Sequence, residues 1–379
     1  MRKDHPGVNT FLCYFTSLLV TVSGAGTSFA QATPKEEAKA ATSSYFRHAT
    51  YGVETLQGWY LEDSGLYKKP TDWWNSANAI TVLVDYSRIT HTTTYLDAVA
   101  ATFHKANKVY GTTNFINDSN DDEGWWALAW IDAYDLTKTP GYLTAAQIIF
   151  TDMTTQWDTT TCGGGVWWSK DLKNSAYKNA IVNEIFLEVA ASLANRATDA
   201  TKKAEYLEWA QKEWQWFNAS GMINSHNLIN DGLKATNPEA CTNNHQTTWT
   251  YNQGVILGGL AELYQADHDA ALLSKAQSIA DATMTALVTK TGVLAEPPGG
   301  GPDLPQFKGI FLRNLVRLNK VKPSAKYKSF AEANAASIWA NDQGPNHEFG
   351  DHWEGPFDSG DGTRQTSALD ALIAAVEMR

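Results

Sequence analysis

Residues 179–194, NAIVNEIFLEVAASLA, and residues 202–214, KKAEYLEWAQKEW, decide the fold. Both repeat apolar side chains at helical spacing. The first is apolar or small on nearly every face, as a helix enclosed on all sides must be. The second carries charge along one face, as a helix with a wet side does. The same contrast runs along the chain. GVILGGLAEL (254–263) and SALDALIAAV (367–376) are of the enclosed kind. Helical periodicity predicts twelve segments at 42–60, 71–89, 94–108, 122–137, 141–157, 178–197, 203–218, 247–265, 268–288, 304–319, 325–340 and 363–378. No β-branched alternating run competes with them. Connections near 90–93, 138–140, 198–202 and 320–324 are short. Those at 158–177, 219–246, 289–303 and 341–362 are long and rich in Gly, Asn, Asp and Pro. Alternate loops of an up-and-down helical array lie at one end, so the long loops gather where the enclosed helices begin. Helical hairpins that open on Tyr95, Tyr142 and Tyr206 repeat at unequal steps, unlike a fixed-period solenoid. Six enclosed inner helices and six amphipathic outer ones describe an all-α toroid, an (α/α)6 barrel, with its site at the start of the inner helices.

Composition bounds the function. The 379 residues are 43% hydrophobic and 19% charged, enough for a large core, with a formal charge of −11. An acidic chain lacks the basic face that nucleic acid or an anionic membrane needs. The 15 Trp, 15 Tyr and 14 Phe either fill a core or face flat ligands such as sugar rings. Arg2 and Lys3, the apolar run Phe11 to Val22 and Ser28-Phe29-Ala30 read as a secretory signal over residues 1–30, with a cut after Ala25 as the alternative. Residues 31–379 then read as one domain, since no linker or compositional break divides them. No later segment is long enough to span a membrane, and the C-terminal AVEMR gives no sign of a GPI-anchor tail. Cys162 and Cys241 remain after the signal; a disulfide is one reading and two free thiols the other. Asn117 and Asn218 begin glycosylation sequons.

The densest polar stretch is NDSNDDEGWW, 117–126, at the opening of an inner helix. Acidic residues there can simply cap the helix, each worth about 0.3–1 kcal/mol. They can also form a catalytic pair. Glycoside hydrolysis uses one ionised and one protonated carboxyl, and helix N–H donors, mutual repulsion and desolvation by Trp125 and Trp126 would drive two adjacent aspartates apart. Metal readings fit less well. Asp118, Asn120 and Asp122 imitate a calcium loop, but Glu123 stands where Gly is needed and Ala129 where Glu is needed. His347-Glu348 with His352 is one residue too long for a zinc motif. Neither a metal nor an organic cofactor is expected. Sugar recognition pairs flat aromatic faces with planar hydrogen-bonding groups. The inner-helix starts supply both: Trp74 and Asn75, Trp168 leading to Asn183, Trp249 through Gln253, and Phe307 with Lys308. For any single Trp, core packing is the competing reading.

On these residues the chain resembles glycoside hydrolase family 76, the endo-α-1,6-mannanases. The blocks are DDEGWWALAWIDAYDLT (121–137), YKNAIVNEIFLEVAASLA (177–194), WTYNQGVILGGLAELY (249–264), FKGIFLR (307–313) and TSALDALIAA (366–375). The resemblance implies an (α/α)6 barrel and retaining hydrolysis of an α-1,6-mannan backbone, with Asp121 as nucleophile and Asp122 as acid/base. It also implies Trp125, Trp126, Tyr251, Asn252, Gln253, Lys308 and Arg313 as cleft residues. The expected protein is a secreted monomer acting on α-mannan. A cell-wall transglycosidase acting on mannan or GPI-type glycans and a non-catalytic mannan-binding protein are the alternatives.

Overall fold

Six helices are buried on every face, and they close into a ring. The computed structural model describes residues 34–237 and 240–379, so the expected signal segment lies outside the described residues. Two compact units divide the chain, 1–39 and 40–379; the architecture below is that of the second. The inner helices are α2 (Trp73–Thr90), α4 (Asn120–Thr137), α7 (Ala180–Arg196), α9 (Thr250–Asp267), α11 (Leu304–Val321) and α13 (Gly362–Glu377). Each packs on the next in that order, and α13 returns to α2. The outer layer is residues 40–57 of α1 (Pro34–Gln57), with α3 (Leu96–Tyr110), α5 (Pro140–Thr154), α8 (Ala200–Ala219), α10 (Ala270–Ala286) and α12 (Ala325–Asn341). Outer helices α3, α5, α8 and α10 pack on the inner helices they follow or precede, and α12 packs on α13. A single turn, α6 (Leu172–Ser175), interrupts one long loop.

Burial explains the layering. Every residue of α7 from Ala180 to Ala194 is buried, including Ile181, Val182, Ile185, Phe186, Leu187 and Leu193. A fully buried side chain of this kind contributes about 1.5–3 kcal/mol, several times the spread of ordinary helix propensities. The ring is therefore held by packing. Small residues let its helices touch backbone to backbone: a Cβ on Gly309 would lie 2.5 Å from Ser367 Cα, and one on Gly254 would lie 2.6 Å from Phe311 Cα. Caps set several starts. Asp72 and Asn75 form a reciprocal capping box on α2. Asn179 opens α7 and Asp361 opens α13 through side-chain bonds to free N–H groups.

The long loops do gather at the N-terminal end of the inner helices. Two small antiparallel ribbons were not announced by the helical pattern: β1 (Tyr60–Leu61) with β2 (Leu66–Tyr67), between α1 and α2, and β3 (Leu233–Asn237) with β4 (Ala240–Asn243), in the long loop before α9. The first predicted helix, 42–60, in fact ends at Gln57, where a turn and β1 take over. Cys162 and Cys241 are joined by a disulfide, with Cα atoms 5.1 Å apart, that ties two loops 79 residues apart in sequence. Lys178, almost wholly buried, donates to the carbonyls of Asp158, Thr161 and Gly164 at 2.5–2.7 Å and pins the first of these loops.

Candidate active site

The N-terminal turns of the inner helices surround a cleft of about 310 Å³. α4 presents Asp121, Asp122 and Trp125 to it, and α2 presents Trp74. α9 adds Tyr251 and α11 adds Phe307. These rings make one aromatic wall. Trp74 stacks on Trp125 at 5.6 Å between ring centroids, and Tyr251 lies on Phe307 at 3.9 Å. The loop side supplies Trp168, Tyr177, Asn179 and Asp231, and the cap of α11 supplies Asp303. Flat apolar faces interleaved with planar polar groups fit pyranose rings.

The two adjacent aspartates have different partners. Asp121 accepts the indole N–H of Trp168 at 2.9 Å and the backbone N–H of Asp122 at 3.1 Å. Asp122 accepts the side-chain amide of Asn117 at 2.8 Å. Burial raises both carboxyls. The two N–H donors pull Asp121 back to about 6. Burial and then the charge of Asp121 push Asp122 up to about 8, against the pull of Asn117. The pair therefore titrates in two steps, with Asp121 losing its proton first. Helix-start N–H groups do stabilise Asp121, as a capping role would have them do, while the nominal cap Ser119 makes no side-chain bond. Two further carboxylates face the same space. Asp231 accepts from Tyr177 at 2.6 Å, Asp303 accepts from Trp74 at 3.1 Å, and burial raises both.

Of the residues singled out in the sequence, Asp121, Asp122, Trp74, Trp125, Trp168 and Tyr251 come together in this cleft. The structure does not bring the others there. Asn75 belongs to the capping box of α2. Trp126 is fully buried, between Trp73, Phe115 and Trp130. Asn252 is fully buried within the ring. Asn183 and Gln253 are loop clamps: Asn183 bonds both backbone groups of Val166, and Gln253 bonds both of Ile229. Lys308 is ion-paired with Asp351. Arg313 lies deeper, bonded to Asp370 and Asn78. Tyr177, Asn179, Asp231 and Asp303 were missed, as was Phe307 as a wall in its own right. Asn179 and Asp303 occupy N-cap positions, a placement the rule that inner-helix starts face the site could have flagged. Asp231 and Tyr177 stand in irregular loops and carry no such signal.

Comparison with known proteins identifies the fold and the family. The model of glycosyl hydrolase family 76 matches residues 31–378. The mannan endo-1,6-α-mannosidase DCW1 of Saccharomyces cerevisiae is 27% identical over 343 residues, covering 83% of this chain and 74% of that protein. The mannan endo-1,6-α-mannosidase DFG5 of Candida albicans is 28% identical over 342 residues, covering 82% and 74%. Among solved structures, an inactive variant of an α-1,6-mannanase from Salegentibacter sp., with two consecutive aspartates replaced by alanine and α-1,6-mannotetrose bound, superposes with a TM-score of 0.80. It is 24% identical and the match covers 88% of this chain and 99% of that one. An (α/α)6 barrel is thus the fold, and the chain belongs to glycosyl hydrolase family 76.

Proposed function

We propose that the protein cleaves α-1,6-mannosidic linkages within a mannan backbone, retaining anomeric configuration, through a glycosyl-enzyme formed on Asp121. The observation that carries this reading is the asymmetry of the adjacent pair. Asp121 has two N–H donors that favour its charge, while Asp122 keeps its proton to higher pH. The Asp121 carboxylate attacks the anomeric carbon as Asp122 gives its proton to the departing glycosidic oxygen. Asp122, now ionised, takes a proton from water, which displaces Asp121 and releases the sugar in its original configuration. Trp74, Trp125, Tyr251 and Phe307 offer stacking faces to successive rings. The names of the fungal relatives support the substrate class.

Residues 31–379 act as one catalytic domain behind a leader spanning 1–30, and the protein works outside the cell as a monomer. The disulfide between Cys162 and Cys241 suits an oxidising compartment. No helix among the described residues is long and apolar enough to cross a membrane. The test is incubation with unbranched α-1,6-mannan, with chain length and the configuration of new ends followed by NMR. Rapid shortening with α-configured ends is expected. β-Configured ends would overturn the adjacent-pair mechanism. Transfer to an added mannobiose acceptor without net shortening would assign a transglycosidase instead.

A further inference from the structure

Behind the pair, away from the cleft, one lysine makes three bonds. The ammonium of Lys170 donates to the carbonyl of Asn117 at 2.7 Å, to Glu123 at 2.9 Å and to Asp152 at 2.6 Å. Its three N–H groups are all used. Glu123 is fully buried and directly follows Asp122 on α4. Asn117 is the residue whose side-chain amide reaches Asp122. The other end of that amide is fixed as well, because Oδ1 accepts the N–H of Ser119 at 3.1 Å. The nitrogen therefore has to face the carboxyl.

The surrounding backbone makes this contact more than a stray ion pair. The N–H of Lys170 bonds the carbonyl of Asp118, and the N–H of Asn120 bonds the carbonyl of Trp168, both at 2.9 Å. Ser119 and Ser169 face each other between these bonds. Residues 168–170 are thus zipped against 118–120. One end of the zipper puts Trp168 on Asp121, and the other puts Lys170 behind Asn117.

We infer that Lys170 is a positioning residue for the acid/base carboxyl: by holding the Asn117 carbonyl it keeps the Asn117 amide against Asp122. The inference rests on the assignment of Asp122 proposed above. A pure stability role would need only the bonds to Glu123 and Asp152. The third bond goes to the main chain of the one residue that grips Asp122.

The consequence for titration has a definite sign. An N–H donor favours the charged form of a carboxyl. Loss of the Asn117 contact therefore moves the titration of Asp122 to higher pH, and with it the alkaline limb of kcat, which requires Asp122 protonated. The turnover below that limb falls because the carboxyl is no longer held in line with the leaving oxygen. Asp121, Asp72 and Asp303 also face Asp122, as does Tyr110. None of these is touched by a change at Lys170.

The experiment compares Lys170→Met, Asn117→Ala, the double variant and Lys170→Arg. It reads kcat and KM for an α-1,6-mannan oligosaccharide against pH, together with the 13C-carboxyl titration of Asp122 without substrate. Lys170→Met and Asn117→Ala are each expected to lower kcat roughly 10- to 100-fold with little change in KM. Both should raise the alkaline limb and the substrate-free titration of Asp122 alike. The double variant should match either single one, since the two act through one link. Lys170→Arg should restore part of the rate. A folded Lys170→Met protein with an unmoved Asp122 titration overturns the inference, and so do effects that multiply in the double variant. If Lys170→Met fails to fold because the buried Glu123 carboxyl has lost its partner, Lys170→Met with Glu123→Gln replaces that carboxyl by an amide of similar shape and the same readouts apply. The substrate-free titration decides the inference even if the wild-type protein does not cleave mannan, an outcome that would defeat the proposed function alone.

Discussion

At the C-terminal end of the inner helices, arginines are clasped by carboxylates. Arg88 binds Asp85 and Glu377 at 2.6 and 2.7 Å, and Arg317 binds Glu188 and Asp132 at the same two distances. Arg196 joins Asp135 and Glu262 beside them, and these groups border a recess of about 260 Å³. At the N-terminal end, Asp121 and Asp122 lie side by side, and neither is ion-paired among the described residues. The barrel thus treats the same carboxyl chemistry in two ways. At the paired end the guanidinium works against burial: it holds Glu262 below its usual value, while burial still leaves Asp85 and Glu188 raised, the latter to about 7; at the other end the charge of Asp121 adds to burial and pushes Asp122 up to about 8. The paired end ties helices of the ring together, and the unpaired end opens on the cleft. Five measurements would break or sharpen that division.

The largest effect belongs to the cleft. Asp122→Asn is expected to lower kcat on α-1,6-mannan by about 10²–10⁴-fold, and Asp121→Asn by at least as much, with circular dichroism unchanged. Retained turnover in either variant would remove that residue from the mechanism. At the other end, Arg317→Met leaves Glu188 and Asp132 without their cation. Urea denaturation should show a loss of about 3–5 kcal/mol, while the pH dependence of the surviving activity stays where it was. A shifted pH profile would mean that the two ends are electrically coupled.

Next is the pH dependence of the pair. The proposed roles require Asp121 ionised and Asp122 protonated, so kcat/KM should be bell-shaped with limbs near 6 and 8. The same shifts bear on stability. Both carboxyls have folded-state values above their unfolded ones, so the native state binds more protons between about pH 4 and 8. Their contribution to stability is present in full below pH 4 and falls as pH rises through that window. Asp122→Asn should flatten the decline, giving a variant more stable than the wild type at pH 8. An identical slope in the two proteins would mean that Asp122 titrates normally. The smallest effect concerns glycosylation. Asn218 is exposed, whereas the Asn117 amide is engaged with Asp122. Peptide mass spectrometry of protein secreted from a eukaryotic host should find glycan at Asn218 and none at Asn117.

Much of this was legible in the sequence because the ring leaves a simple trace. Helices enclosed on all sides lose their polar face, and long loops alternate with short ones. The order of inner and outer helices follows from these two facts. The cleft was legible only to the nearest residue. Successive residues of a helix point about 100° apart, so of Trp125 and Trp126 one lines the cleft and the other packs in the core. Trp74 and Asn75 divide in the same way, as do Tyr251 and Asn252. Composition cannot say which member turns outward. Amides misled for a related reason. Asn183 and Gln253 have the chemistry of sugar ligands but spend it on the backbone of Val166 and Ile229, and Gln365 accepts the N–H of Phe349 while donating to the carbonyls of Gly52 and His347. Lys308 and Arg313 were drawn inward by carboxylates distant in sequence. Asp231 sits in a loop without periodicity, where only the folded chain shows what it faces.

The closed ring has a consequence for how such a protein can change over time. Its inner helices all run the same way, so each brings its first turn to a common surface. The contacts that keep the barrel folded lie on other faces and further along. Recognition and foldedness therefore occupy separate addresses on the same helix. A substitution at Trp74 or Tyr251 can reshape the cleft with little toll on the ring, and a swapped loop can rebuild one wall while the others stand. Lineages carrying this architecture can drift in diet one helix at a time.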